Sequence, residues 1–198
     1  MAGRRLWRWG VGLMLAAVLA AAMAVGIVRV NHAWPNARVL EIPAGESVVL
    51  EEVNWVVDGA RWVDGPELPA LLPGYRFEMR DPTGGPLPLA EQAMVVVDVT
   101  LRNEGLDVAS CDVTNWYLES RAWRNGVDFR AWQILNPGQA TRISLSADES
   151  LTVHLIYPLY SFQFKPGQWS AAPSREYQLV QLNYPDKWVL DLPAVRAG

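Results

Sequence analysis

The chain has 198 residues, with 17 Lys and Arg against 21 Asp and Glu, and 51% of it is apolar. That apolar share excludes a disordered chain, and a single cysteine, Cys111, excludes an internal disulfide. Charge is segregated: Arg4, Arg5, Arg8 and Arg29 stand at or before position 29, and the part beyond carries 13 basic against 21 acidic residues, formally −8. Such a field disfavours nucleic acid, anionic lipid and anionic wall polymers as partners, because phosphate recognition needs Lys and Arg.

Residues 9–28 contain no charged side chain. Twenty helical residues span about 30 Å, the thickness of a bilayer's hydrocarbon core. Trp9, Leu13, Leu15, Val18, Leu19, Val25 and Ile27 supply the apolar surface of that span, and Arg4, Arg5 and Arg8 set its topology by holding the short N-terminal end in the cytoplasm. The expected layout is a cytoplasmic tail (1–8), a transmembrane signal-anchor (9–30), a juxtamembrane linker (31–45) and an exported domain (46–198). The competing reading is a cleaved signal peptide, with Ala20-Ala21-Ala22 or Ala22-Met23-Ala24 as the cleavage site. Cys111 lies too far along the chain to serve as a lipoprotein's acylated cysteine.

Beyond the linker, Val48–Leu50 and Val53–Val57 read as strands, the second bounded by Asp58-Gly59. Residues 64–74 hold three prolines and two glycines and read as a loop. Tyr75–Met79 reads as a short strand, followed by a turn-rich connection from Asp81. The clearest strand is Ala93–Asn103: Val95, Val97, Val99 and Leu101 fall on one face, with Asp98, Thr100 and Arg102 on the other. Val113–Trp123 alternates less cleanly, and Asn125-Gly126 signals a hairpin turn. Ile143 and Leu145 precede a turn at Ala147–Ser150, and Leu151, Val153, Leu155 and Tyr157 share a strand face that stops at Pro158. Tyr177–Leu182 and Trp188–Leu192 close the chain. About eight short strands with frequent turns, and no amphipathic helix, predict an all-β antiparallel sandwich.

The segment Met94-Val-Val-Val-Asp-Val-Thr-Leu-Arg-Asn-Glu-Gly105 resembles the signature strand of small exported bacterial immunoglobulin-like domains of unknown function. Ala147–Pro158 and the final pair Tyr177–Val180 and Lys187–Leu192 are similar to later strands of that group, although its usual Pro-Gly is replaced by Ala147-Asp148. The resemblance covers about residues 46–193. It implies an immunoglobulin-like sandwich outside the membrane and no particular activity.

Catalytic patterns are sparse. His32 reads as a linker residue and His154 as an ordinary strand residue, and the common zinc, redox, acyl-transfer, phosphate-loop and EF-hand spacings do not occur. Three acidic pairs, Glu51-Glu52, Glu104 with Asp107, and Asp148-Glu149, fit glycoside hydrolysis or Ca²⁺ binding in principle, and solvated turns more simply. Neither an enzyme nor a cofactor or metal is expected. The ten tryptophans are the unusual feature. Trp62, Trp123, Trp132 and Trp169 fall near turns or strand ends and are the candidate contacts for a ligand or partner, with core packing as the alternative. The expectation is therefore a single-pass cell-membrane protein, N-terminus inside, whose exported domain binds an envelope protein. A cell-wall or carbohydrate module using the loop tryptophans is the alternative.

Overall fold

The computed structural model describes residues 2–33, 35–183 and 185–197, with the side chains of 2–13, 183, 196 and 197 outside the description. The chain divides into two compact units, residues 1–38 and 39–198.

The first unit is a single helix, α1 (Ala2–Ala33). Its stretch Met14–Ala33 has a mean hydropathy of 2.0 and is long and apolar enough to cross a membrane. Leu15, Val18, Leu19, Val25 and Ile27 are all exposed on it. Trp34 and the side chains of Arg4, Arg5, Arg8, Trp9 and Leu13 lie outside the described residues.

The second unit is a β-sandwich. One sheet orders β1 (Arg38–Ile42), β11 (Asp186–Asp191), β10 (Gln178–Asn183), β6 (Trp116–Ser120) and β7 (Trp123–Gly126). The other orders β12 (Arg196–Ala197), β3 (Val53–Asp64), β4 (Gln92–Asn103) and β9 (Ser150–Tyr160), with β2 (Ser47–Leu50) also paired to β3. A small ribbon of β5 (Ala109–Asp112) and β8 (Arg142–Leu145) bridges the end. The orders β3-β4-β9 and β7-β6-β10-β11 interleave in sequence as the two sheets of an immunoglobulin-like domain do. Val95, Val97, Val99 and Leu101 on β4 face Trp116, Leu118, Leu179 and Leu190 across the core, as the period-two pattern predicts.

Four sequence expectations need correction. The strand from Val53 does not end at Asp58-Gly59 but continues through a bulge there to Asp64. The extra residue reverses the facing of the strand: Val53, Trp55 and Val57 point into the core before it, Ala60 and Trp62 after it. Residues 64–74 contain a short helix, α2 (Glu67–Leu71), because Pro69 sits in its first turn, where no backbone donor is needed. Tyr75–Met79 is not a strand; Tyr75 and Phe77 pack instead on the outer face of the second sheet. Asn125-Gly126 is paired within β7, and the turn is Arg121-Ala122, with Arg121 at φ 56°.

That outer face carries a second apolar cluster: Met94 and Val96 of β4, Val63 of β3 and Ile156 of β9 lie under Leu68, Leu72 and Ala131. Ala131 belongs to α3 (Phe129–Leu135), a helix the sequence reading missed. Asp128 caps it, its Oδ1 accepting from the Arg130 and Ala131 amides at 2.9 Å, while its Oδ2 accepts from Tyr75 Oη at 2.7 Å.

Strand β9 lies at the sheet edge and runs through Pro158, which is tolerated there because an edge residue can do without a ladder donor. Its outward groups are covered in register. The Asn136 side chain accepts from His154 N (2.8 Å) and donates to His154 O (3.0 Å). Asp128 N donates to Ile156 O (2.8 Å), and Asn125 Nδ2 to Pro158 O (2.6 Å).

Candidate interaction surface

The four candidate tryptophans do not form an exposed patch. Trp62 is 2% exposed, and its Nε1 donates to Asp64 Oδ2 at 2.7 Å. Trp132 is 1% exposed, and its Nε1 donates to Gln139 O at 3.1 Å. Both are packing residues whose polar atom is already bonded within the chain, which removes them as contact residues. Trp169 and Trp123 are half-buried. Trp169 lies against Trp62 and Phe164, its Nε1 donating to Ala90 O at 3.0 Å, and Trp123 lies against Phe164 and Tyr177. The end of the sandwich where these rings meet is thus an aromatic plug, and a glycan platform built on these four side chains loses two of them to the core.

The opposite end gathers what the sequence had left scattered. The β2–β3 turn is Glu51-Glu52, two non-glycine residues at φ 52° and 69°, joining Leu50 to Val53. Glu104 N donates to Glu52 O at 3.2 Å, and Glu104 Oε1 accepts from Asn54 Nδ2 at 2.9 Å, which joins that turn to the loop after β4. Asn103, fully buried, then fixes the loop: its Nδ2 donates to Asp107 O (2.8 Å), Leu145 O (3.0 Å) and Ser146 O (3.0 Å), and its Oδ1 accepts from Gly105 N (2.8 Å). Asn103 N donates to Glu149 O at 3.0 Å, and Glu149 Oε2 accepts from Ser146 N at 2.7 Å. All three acidic pairs therefore share one end of the sandwich. Their carboxylates stand in ordered, solvated turns, and among the described residues no three His, Cys, Asp or Glu side chains converge on a metal position.

Two apolar side chains project from this acidic end: Leu106 is 95% exposed and Val108 is 70% exposed. Sequence reasoning passed over both, although an apolar pair between Gly105, Asp107 and Ala109 belongs to no strand period and was the available signal. Arg102, on the same rim, is 3.8 Å from Asp148.

A second polar group lies on the outer face of the β3-β4-β9 sheet. His154 Nδ1 is 2.6 Å from Asp98 Oδ1, and Arg61 stands 3.7 Å from Asp98 Oδ2. Thr100 Oγ1 donates to Asp58 Oδ2 at 2.7 Å. With both Asp98 oxygens facing cations or donors of the sheet itself, these contacts join the three strands across their wet face.

A family model described as Domain of unknown function (DUF5028) matches residues 80–188. No curated protein matches the chain. Among solved structures the chain is similar to an uncharacterized β-sandwich protein of Clostridium difficile, at 9% identity and a TM-score of 0.43, over 80% of this chain and 97% of that one. It is also similar to the yjhA protein of Bacillus subtilis, at 14% identity and a TM-score of 0.42, over 76% and 98%. A functionally unknown protein of Listeria monocytogenes matches at 9% identity and a TM-score of 0.47, over 75% and 81%.

Proposed function

The chain belongs to the DUF5028 family, a domain of unknown function, and we propose that it works as a membrane-anchored, non-catalytic binding module that docks a cationic protein surface on the acidic end of its sandwich. The observation that carries this reading is the exposure of Leu106 and Val108 on a loop that Asn103 holds in place. Apolar side chains carried on an ordered backbone within a charged rim have the anatomy of a binding hot spot, and preorganisation of the loop lowers the entropic cost of docking. The rim of Glu51, Glu52, Glu104, Asp107, Asp148 and Glu149 selects for positive charge and against nucleic acid or anionic polymers. The anchor reading is supported by the exposed apolar surface of Met14–Ala33 and the arginines that precede it. It places the N-terminus in the cytoplasm and the sandwich outside, facing envelope proteins.

The test uses the full chain in its native membranes, with a photo-crosslinking residue at Leu106 or, as control, at Phe129, exposed on α3. A protein adduct specific to position 106, lost at high salt and on Glu52→Lys with Glu149→Lys, supports the reading. Equal adducts at both positions, or an adduct indifferent to salt and charge reversal, overturn it. Intact mass taken on the membrane fraction and the medium separately reports on the anchor: a full-length mass confined to membranes supports it, and a species starting near Met23 or Val25 in the medium replaces it with a cleaved leader.

A further inference from the structure

The sheet of β3, β4 and β9 has two edges, and the fold treats them differently. Along β9 the outward groups at His154, Ile156 and Pro158 are met by Asn136, Asp128 and Asn125. On the other side β2 pairs with β3 and with no further strand.

The register shows which groups of β2 are spare. Glu51-Glu52 is a two-residue turn with both φ positive, so the pair it joins, Leu50 and Val53, is a hydrogen-bonded one, and Val48 with Trp55 is the next. Ser47 and Val49 alternate with these, and their N–H and C=O groups point away from β3. Among the described residues none of these four groups has a hydrogen-bond partner. The Val49 side chain, β-branched and apolar, is 52% exposed beside them.

A strand edge with free donors and acceptors is a template for another strand. Charge decides which strand fits. Residues 43–52 carry Glu46, Glu51 and Glu52 and no Lys or Arg, and Glu104 is bonded to Asn54, the residue opposite Val49. A second copy pairing antiparallel about Val49 would set Glu46 of each chain against Glu52 of the other, and like charges directly opposed are destabilising. Two exported domains, each formally −8, also repel. A strand bearing Lys or Arg meets carboxylates instead, so the same charges that reject a second copy select a basic partner. We infer that the β2 edge accepts one extended, basic segment of a partner protein, added as an outer strand on the backbone of Ser47 and Val49. This edge is distinct from Leu106 and Val108, and either surface can fail without the other.

The experiment titrates the full chain in detergent micelles with three synthetic peptides: Lys-Val-Lys-Val-Lys-Val, the same peptide methylated at every backbone nitrogen, and Glu-Val-Glu-Val-Glu-Val. Binding and the hydrogen exchange of single amides are followed by NMR. The lysine peptide should bind saturably and slow the exchange of the Ser47 and Val49 amides. The methylated form, equal in charge but without donors, should bind about tenfold more weakly, the scale of a net backbone hydrogen bond. Val49→Pro removes an outward donor that the β3 ladder does not use, and should abolish the protection at Ser47. Val49→Lys leaves the backbone whole and repels the peptide, which keeps the test decisive if the proline variant does not fold. Equal binding of the methylated or the glutamate peptide reduces the effect to charge or to unselective adhesion, and overturns the inference. Protection confined to other strands, self-association of the chain that Val49→Pro removes, or no saturable binding of the lysine peptide overturns it equally.

Discussion

Asn103 sits fully buried where β4 ends, and three carbonyls from two other segments depend on its single amide nitrogen. Replacing it with alanine leaves those carbonyls, one buried and two part-buried, without their donor. Asn103→Ala should therefore destabilise the sandwich by about 2–4 kcal/mol, the loss of several buried bonds without replacement, read as a lower urea midpoint at unchanged slope. A loss under about 0.5 kcal/mol would mean that water replaces the amide. In the sequence, Asn103-Glu104-Gly105 announces a strand end and a turn. It does not announce the hub, because Leu145 and Ser146 lie more than forty positions away and only the folded topology brings them to Asn103. Tryptophan gives the reverse case. Its abundance was plain, but whether an indole lies inside or outside depends on what its Nε1 meets, and Trp62 and Trp132 meet Asp64 and the Gln139 carbonyl.

At the scale of elements, strands were legible where the period held and obscure where it broke. Asp98, Thr100 and Arg102 alternate cleanly with the core side of β4. Met94 to Val97 has no polar member, and that uninterrupted run was the sign of burial on both faces, with Met94 and Val96 lying under α2 and α3. The helix α3 escaped notice because seven residues are too few to show a helical period, and its cap, Asp128, reads equally well as a turn residue. Its function in the fold is to close the edge of β9, and Asn136 at its C-terminal end does so by bonding both backbone groups of His154. An uncovered edge is a template for pairing with another chain. Asn136→Ala should cost about 1–3 kcal/mol, the range for backbone groups left unpaired. It should also produce dimers or larger species at high protein concentration, detected by light scattering. A monodisperse variant of normal stability would show that the rest of the β7–α3 segment suffices to protect the edge.

For the molecule as a whole, the long apolar run and the strand-dense remainder announced an N-terminal apolar helix and an all-β sandwich, features coarse enough to outlast the local misreadings. What the sequence could not convey was how dry the core is, since titration depends on surroundings rather than on residue type. Burial, reinforced by Asp112 and Glu51, pushes the Cys111 thiol up to about 12 from an ordinary 9.0. Burial likewise raises Tyr160, with some help from Asp128, and Tyr177 to about 12, and Tyr157 well above its ordinary 10.0. Tyr75 is raised by burial and by its bond to Asp128. All five groups are neutral in the fold over a pH range where the unfolded chain loses their protons. Their contribution is therefore fully present below about pH 9 and is withdrawn as pH climbs through about 12, because ionisation favours the unfolded state. Thermal unfolding should accordingly hold steady on this account up to about pH 9 and then fall progressively. The thiol should resist alkylation at pH 8 until the chain is denatured. Tyrosinate absorbance from the buried phenols should rise together with loss of near-ultraviolet circular dichroism, as one transition. Tyr157 and Tyr177 ionising near their ordinary 10.0 while the dichroism persists would place them in contact with water and refute the dry packing between the two sheets.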